Sequence, residues 1–396
     1  MKNKICDSVK YINEIANNVR SVDQEQVDKL YEIIRSGDCL LGDGAGRSYY
    51  SLCGPAGEAA KNIPGLSFIT PRDPGFPGYT MLDAVPKLEK IYRKINVLAV
   101  SQSGEKNEPK NHLLDLVEKI EQTGTDKFTI NAITAHENST IGKIAQKYGS
   151  ILKLEGAKVS KNNRHWTPRK SAILFDQFEL GVNVSFQTMV EMWYRQLDSN
   201  NFHDLLEKNL ISIGEVIDNC SKSRFHEKVV DHLEGNADVY YAGISPARIS
   251  SAMAAVRTHH IKRLYGKGDA YLIGETNTSN PLANDVAMFT SLSGGSNPPS
   301  QTGKKPTESP IVSWAKDYKN LGAIICSIVG TEKSPVAKAS KHKFFIKEGN
   351  KEGPKGFYTK ANFVHSVLPV CLVERWKERG LAAPPEILNW YHTVAE

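Results

Sequence analysis

The chain has 396 residues, enough for two domains that each bury a core, and its hydrophobic and charged fractions are those of a folded globular protein. A net charge of +6, with no run of five basic residues and no basic stripe interleaved with aromatics, argues against nucleic-acid binding. No apolar stretch reaches 18 residues and the start, MKNKICDSVKYINEI, lacks a signal-peptide core, so a cytoplasmic protein without a membrane partner is expected. Cys6, Cys39, Cys53, Cys220, Cys326 and Cys371 form no Cys-x-x-Cys pair and read as free thiols, with no metal site and no cofactor.

Val9, Ile12, Ile15 and Val19, then Val27, Leu30, Ile33 and Ile34, have the spacing of two amphipathic helices. The strand CLLGDG (39–44) follows, running into the Gly-rich turn GAGRS (44–48). A Pro/Gly segment, TPRDPGFPGYT (70–80), either covers a cleft with Arg72 and Asp73 or crosses the surface. The apolar run NVLAVS ends in SQSGEKNEP (101–109), and then come a helix, the strand FTINAIT (128–134), the helix NSTIGKIAQKYG and the strand ILKLE. A basic loop, RHWTPRKS (164–171), leads into a long apolar helix, SAILFDQFELGVNVSFQTMVEMWYRQL.

The same order then repeats. Two helices around Leu206–Ile217 and Val229–Leu233 precede the strand DVYYAG (238–243) and the turn GISPA. DVAMFTS ends in SLSGGSNPP (291–299), followed by a helix, the strand AIICSIV (323–329), KSPVAKASKH, KFFIK and a second apolar helix, GFYTKANFVHSVLPVCLVERWKERG. VEMWYRQ at 190–196 and VERWKER at 373–379 set a local offset of 183 (373 − 190). Continuously apolar strands alternating with helices predict an α/β chain of two doubly wound parallel-sheet, three-layer domains related by pseudo-two-fold symmetry. The halves divide as 1–200 and 201–396, with the link near DSNNFH (198–203).

Ligands of open parallel sheets bind beyond the carboxyl ends of strands. A Ser-x-Ser-Gly turn there offers hydroxyls, a flexible glycine and helix N–H groups to a phosphate, although serine is also a common helix cap. The Gly turn is neither a Walker A loop nor G-x-G-x-x-G, so a nucleotide is not expected.

Together these motifs resemble the sugar isomerase (SIS) domain family over both halves, and within it the 6-phospho-3-hexuloisomerases: GAGRS (44–48), YLIGETNTSNP (271–281), DVAMFTSLSGGS (285–296) and LFDQ (174–177). The resemblance implies a small-molecule phosphosugar partner and a homodimer or higher homo-oligomer. It implies phosphate or sugar contacts from Gly46, Arg47, Ser48, Ser101, Ser103, Gly104, Lys106, Gly243, Ser245, Ser291, Ser293, Gly294 and Ser296. Lys106 departs from the expected Thr or Ser. Aldose–ketose isomerisation through an enediol needs a base and a group acting at oxygen. The family base is a Glu on the late helix; Asp176 stands there in the first half and Thr359 in the second. Glu275 is an alternative base, and His165 or His260 is expected to act at oxygen. Asp176 reads alternatively as an exposed helix carboxylate, His260 as part of an amphipathic face, and His365 as a core histidine. The sequence supports an isomerase first. A non-catalytic phosphosugar-binding regulator comes second, and a deaminase or deglycase of amino-sugar phosphates third.

Overall fold

The computed structural model describes residues 4–156, 168–295, 309–348 and 353–381, with the backbone alone described for 168–175. In the first half α1 (Lys10–Arg20) and α2 (Gln24–Arg35) precede β1 (Cys39–Gly44), α3 (Gly46–Asn62), β2 (Ser67–Ile69), α4 (Met81–Ile91) and β3 (Ile95–Val100). Next come α5 (Asn107–Thr123), β4 (Phe128–Thr134), α6 (Thr140–Tyr148), β5 (Ile151–Lys153) and the long α7 (Pro168–Tyr194). The second half repeats this with α8 (Phe202–Ser221), α9 (Arg224–Leu233), β6 (Val239–Ala242), α10 (Pro246–Leu264), β7 (Ala270–Leu272) and β8 (Val286–Ser291). It closes with α11 (Pro310–Asn320), β9 (Ile324–Val329), α12 (Pro335–Ala339), β10 (His342–Phe345) and α13 (Gly356–Glu378).

Each half is a five-stranded, wholly parallel sheet. The orders are β2-β1-β3-β4-β5 and β7-β6-β8-β9-β10, one topology used twice. Strands covered on both faces must be apolar on both, and β1 obeys this. Leu40 joins the inner core, while Cys39 and Leu41 join the outer one with α4, α5 and α6. The inner core is continuous between the halves. It is built where α3, α7, α10 and α13 pack together, with Phe186, Val190, Phe363 and Val367 buried. The edge strands β2 and β7 are three residues each, and β2 gives no clear signal in the sequence because SFI is half-buried.

The contacts between α3 and α10 show them antiparallel, as a pseudo-two-fold requires. Arg47 at the start of α3 meets Met253 and Arg257 in α10, through the Met253 carbonyl and a shared Asp176 carboxylate. Lys61 at its end donates to Ser245 just before α10 (2.8 Å). Asn362 of α13 donates to Asn183 of α7 (3.2 Å), which in turn donates to the Ser51 carbonyl of α3 (3.0 Å). No helix among the described residues is long and apolar enough to cross a membrane. All six cysteines are free thiols.

Candidate functional site

The strand order reverses between β1 and β3, and again between β6 and β8, so the loops leaving these neighbours diverge and open a crevice at the carboxyl ends. Both Ser-x-Ser-Gly turns lie on that rim and are built alike. Ser101 Oγ accepts from Gly104 N (3.1 Å), and Ser291 Oγ from Gly294 N (3.0 Å). Gly104 and Gly294 sit at φ +66° and +59°, and a Cβ on either would fall 1.9 Å from the Oγ of Ser139 or Ser334, so both conformation and space call for glycine. Ser139 and Ser334 each cap the next helix, α6 or α12. The N–H groups of Ile141 and Val336 return to the carbonyls of Gly104 and Gly294 (3.1 and 3.0 Å).

This construction separates the roles of the serines. Ser101 and Ser291 are buried and shape the turn, whereas Ser103 and Ser293 are exposed at its tip. Neither serine of the first turn caps α5, because Lys106 occupies that N-cap position and makes no side-chain cap bond. Glu105 is anchored to α6 through Thr140 N and Oγ1 (2.6 and 3.0 Å). Ser296 and His165 lie outside the described residues.

The Gly turns differ between the halves. Gly46, the first residue of α3, takes φ +53°, and Ser48 two residues on is half-buried. In the second half Gly243 packs under Ala247, where a Cβ would meet the Ala247 carbonyl oxygen at 2.3 Å. Ser245 stands where the first half has Gly46 and keeps the positive φ, at φ +60°, ψ −131°, a conformation that costs a non-glycine residue on the order of 1–3 kcal/mol. Its hydroxyl accepts from Lys61 of the opposite half.

Two expected placements are corrected by the geometry. Arg47 does not face the crevice. It is buried and turned inward, with Nη2 2.6 Å from Asp176 Oδ1 and Nε 2.5 Å from Glu179 Oε2. Asp176 is fully buried, and Arg257 Nη2 approaches the same Oδ1 (2.7 Å) and lies 3.4 Å from Glu179. Asp176 is thus neither an exposed helix carboxylate nor a group presented to the strand ends. Its place, and that of Arg47, is a four-charge cluster binding α3, α7 and α10. Burial pushes the Glu179 carboxyl above its ordinary range, opposed by the two guanidiniums. Oδ2 of Asp176 has no hydrogen-bond partner among the described residues.

Glu275 is exposed and paired with Arg248, near the second crevice. His260 is half-buried on α10. Burial, with Arg257 beside it, lowers its pKa to about 3, so it is neutral at physiological pH. His365 is buried, with Nε2 2.8 Å from Thr290 Oγ1, and burial lowers it to about 3 as well. Thr359, opposite Asp176 in the repeat, is also buried.

The first crevice holds groups that the sequence reading passed over. Asp43, at the end of β1, is 1% exposed and bound through Oδ1 by Gly44 N (2.7 Å). Its Oδ2 accepts from Nδ1 of His112, on α5, at 2.9 Å. That hydrogen bond raises the His112 pKa. Arg72 of the 70–80 segment reaches in over the Tyr49 ring. It donates to the Gly44 carbonyl (3.3 Å) and pairs with Glu108 through Nη2 and Nε (2.6 and 3.1 Å). The sequence signal was present: a lone carboxylate inside the buried strand CLLGDG. Its counterpart before Gly243 is Ala242, and six residues past the N-cap, where α5 has His112 (106 + 6), α11 has Ala315 (309 + 6).

No protein-family model matches the chain, and no curated protein matches it in sequence. Solved structures match it in fold. The C-terminal domain of glucosamine-fructose-6-phosphate aminotransferase from Francisella tularensis superimposes with a TM-score of 0.55 at 12% identity, covering 92% of this chain and 96% of that one. A tagatose-6-phosphate ketose/aldose isomerase from Escherichia coli gives 0.54 at 11%, covering 93% of each chain. A glucosamine-6-phosphate deaminase from Thermotoga maritima gives 0.50 at 14%, covering 96% and 97%. The architecture of this chain is therefore the double SIS fold, present over nearly its whole length.

Proposed function

We propose that the chain is a sugar-phosphate aldose–ketose isomerase working through an enediol, with the phosphate held at a Ser-x-Ser-Gly turn. The observation that carries this is the shared construction of the two turns at the switch points. Ser103 and Ser293 are exposed at the tip of a turn whose glycine, inner serine and supporting helix cap are fixed identically in both halves. The similar structures lend support by their names, which include an isomerase acting on tagatose 6-phosphate and a deaminase of glucosamine 6-phosphate. The chemistry needs no cofactor, since a proton moves between neighbouring carbons of one substrate. Residues from both halves meet at the second crevice, where Lys61 of the first half donates to Ser245.

A non-catalytic phosphosugar-binding regulator is the second reading. It is favoured by Asp176, the residue in the family base's place, which is committed to two arginines. Titration calorimetry with fructose 6-phosphate, tagatose 6-phosphate and glucosamine 6-phosphate, run beside proton NMR in heavy water, separates the two. The isomerase reading expects binding together with loss of a substrate C–H signal. Binding without exchange leaves the regulator, and absence of both removes phosphosugar recognition altogether.

A further inference from the structure

The first crevice has an acid/base pair that the second lacks among the described residues, and this inequality bears on the chemistry. Asp43 and Ser101 end neighbouring strands: Asp43 is in register with Ala99 and Gly44 with Val100, the residue before Ser101. Adjacent strands lie about 4.8 Å apart, so one small ligand spans both strand ends. A buried carboxylate with one oxygen satisfied by its neighbour's N–H and the other by an imidazole nitrogen is an orienting device. A carboxylate only accepts, so Nδ1 carries the hydrogen and Nε2 is the basic nitrogen of the neutral ring. The His112 side chain is 25% exposed, and among the described residues its Nε2 has no hydrogen-bond partner.

We propose that His112, oriented by Asp43, is the proton-transfer base of the first-half site, and that the second half carries Ala242 and Ala315 at the matching positions instead. This rests on the isomerase reading above. The step balances on one substrate. Nε2 takes the hydrogen from the carbon next to the carbonyl as a proton, the C–H pair becomes the C=C bond of the enediolate, and the carbonyl oxygen takes the negative charge. The hydroxyl proton on the carbon that lost its hydrogen passes to the former carbonyl oxygen, the imidazolium returns its proton to the former carbonyl carbon, and the carbonyl is left on the neighbouring carbon. The charged groups facing His112 are Asp43 on β1 and Glu108 and Asp115 on its own helix, with Arg72 of the crossing segment paired to Glu108.

The test uses the full chain with fructose 6-phosphate and tagatose 6-phosphate. Binding is read by calorimetry, and C–H exchange in heavy water is read by NMR between pH 5 and 9. For the wild type, exchange rises with pH through the His112 titration, because the neutral ring is the base. H112N is expected to bind within about threefold of wild type and to lose exchange by at least about 100-fold. D43N is expected to keep binding, to slow exchange by roughly tenfold or more, and to move the limb to lower pH, since Asp43 is what raises His112. If wild type exchanges and H112N keeps that rate, or D43N leaves the limb in place, this assignment is overturned while the isomerase reading stands. If wild type binds without exchanging, or does neither, both fail, and the binding arm shows whether recognition survives. The D43N limb shift also serves should H112N fold poorly.

Discussion

Asp176 decides between two accounts of the late helix, and replacing it tests the packing account directly. Its Oδ1 accepts from Arg47 and Arg257 at 2.6 and 2.7 Å, and the carboxylate is fully buried. In Asp176→Ala the two guanidiniums lose the carboxylate they share and Glu179 alone of the two acidic groups remains, leaving a net buried positive charge and a small void. Removing one partner of a buried pair costs about 3–5 kcal/mol. Asp176→Asn keeps the shape and an acceptor but loses the charge, so roughly half that cost is expected. For a chain of this length each kcal/mol moves the melting temperature by about 2 °C, so Ala should lower it by about 6–10 °C and Asn by about 3–5 °C. Differential scanning calorimetry and urea midpoints read this. A double-mutant cycle with Arg47→Met should return a coupling above about 1 kcal/mol. A variant that melts like wild type yet loses proton exchange would refute the reasoning and restore Asp176 as a base.

Gly104→Ala and Gly294→Ala should each cost about 2 kcal/mol or more, because the added methyl meets a capping serine in a left-handed turn. Comparing their sugar-phosphate affinities by calorimetry identifies the working turn, and equal, unimpaired affinity in both would rule out phosphate binding at these loops. Ser245→Gly should raise stability by about 1 kcal/mol by relieving the positive φ, read as a higher urea midpoint; a drop would mean the Lys61 contact outweighs the strain. His365 is buried neutral with a folded pKa of about 3 against an ordinary value near 6.5. Its contribution is therefore intact above pH 6.5 and is lost as pH falls toward 3, at about 2 kcal/mol by pH 5. His365→Asn should flatten the urea midpoint's decline between pH 7 and 5, and an unchanged decline would place the acid sensitivity elsewhere.

Much of the architecture was legible because it rests on local pattern. CLLGDG and FTINAIT correspond residue for residue to β1 and β4, since parallel strands buried on both faces read as largely apolar runs. The repeat was legible from the same cause acting twice. The site was harder, because side-chain direction is a tertiary fact. Arg47 in GAGRS sits beside the crevice in sequence, yet the first turn of α3 points it at α7 and α10. Asp176 looked like a catalyst because a charge in an apolar helix draws attention, and its partner Arg257 lies 81 residues away. Asp43 and His112 went unread for the converse reason: 69 residues separate them, and only the parallel pairing of β1 and β3 brings α5 against the end of β1. Ser245 hid its backbone strain because the torsion belongs to the turn and not to the residue type.

The central claim is the proposal that this chain, with its two-domain parallel-sheet fold, moves a proton between carbons of a bound sugar phosphate. The most direct measurement is the wild-type protein incubated with fructose 6-phosphate and tagatose 6-phosphate in heavy water, followed by proton NMR. The account predicts that a carbon-bound hydrogen next to the carbonyl of at least one of them is replaced by deuterium at a rate proportional to enzyme concentration. Full retention of every C–H signal, at protein concentrations where calorimetry shows the sugar phosphate bound, would contradict it.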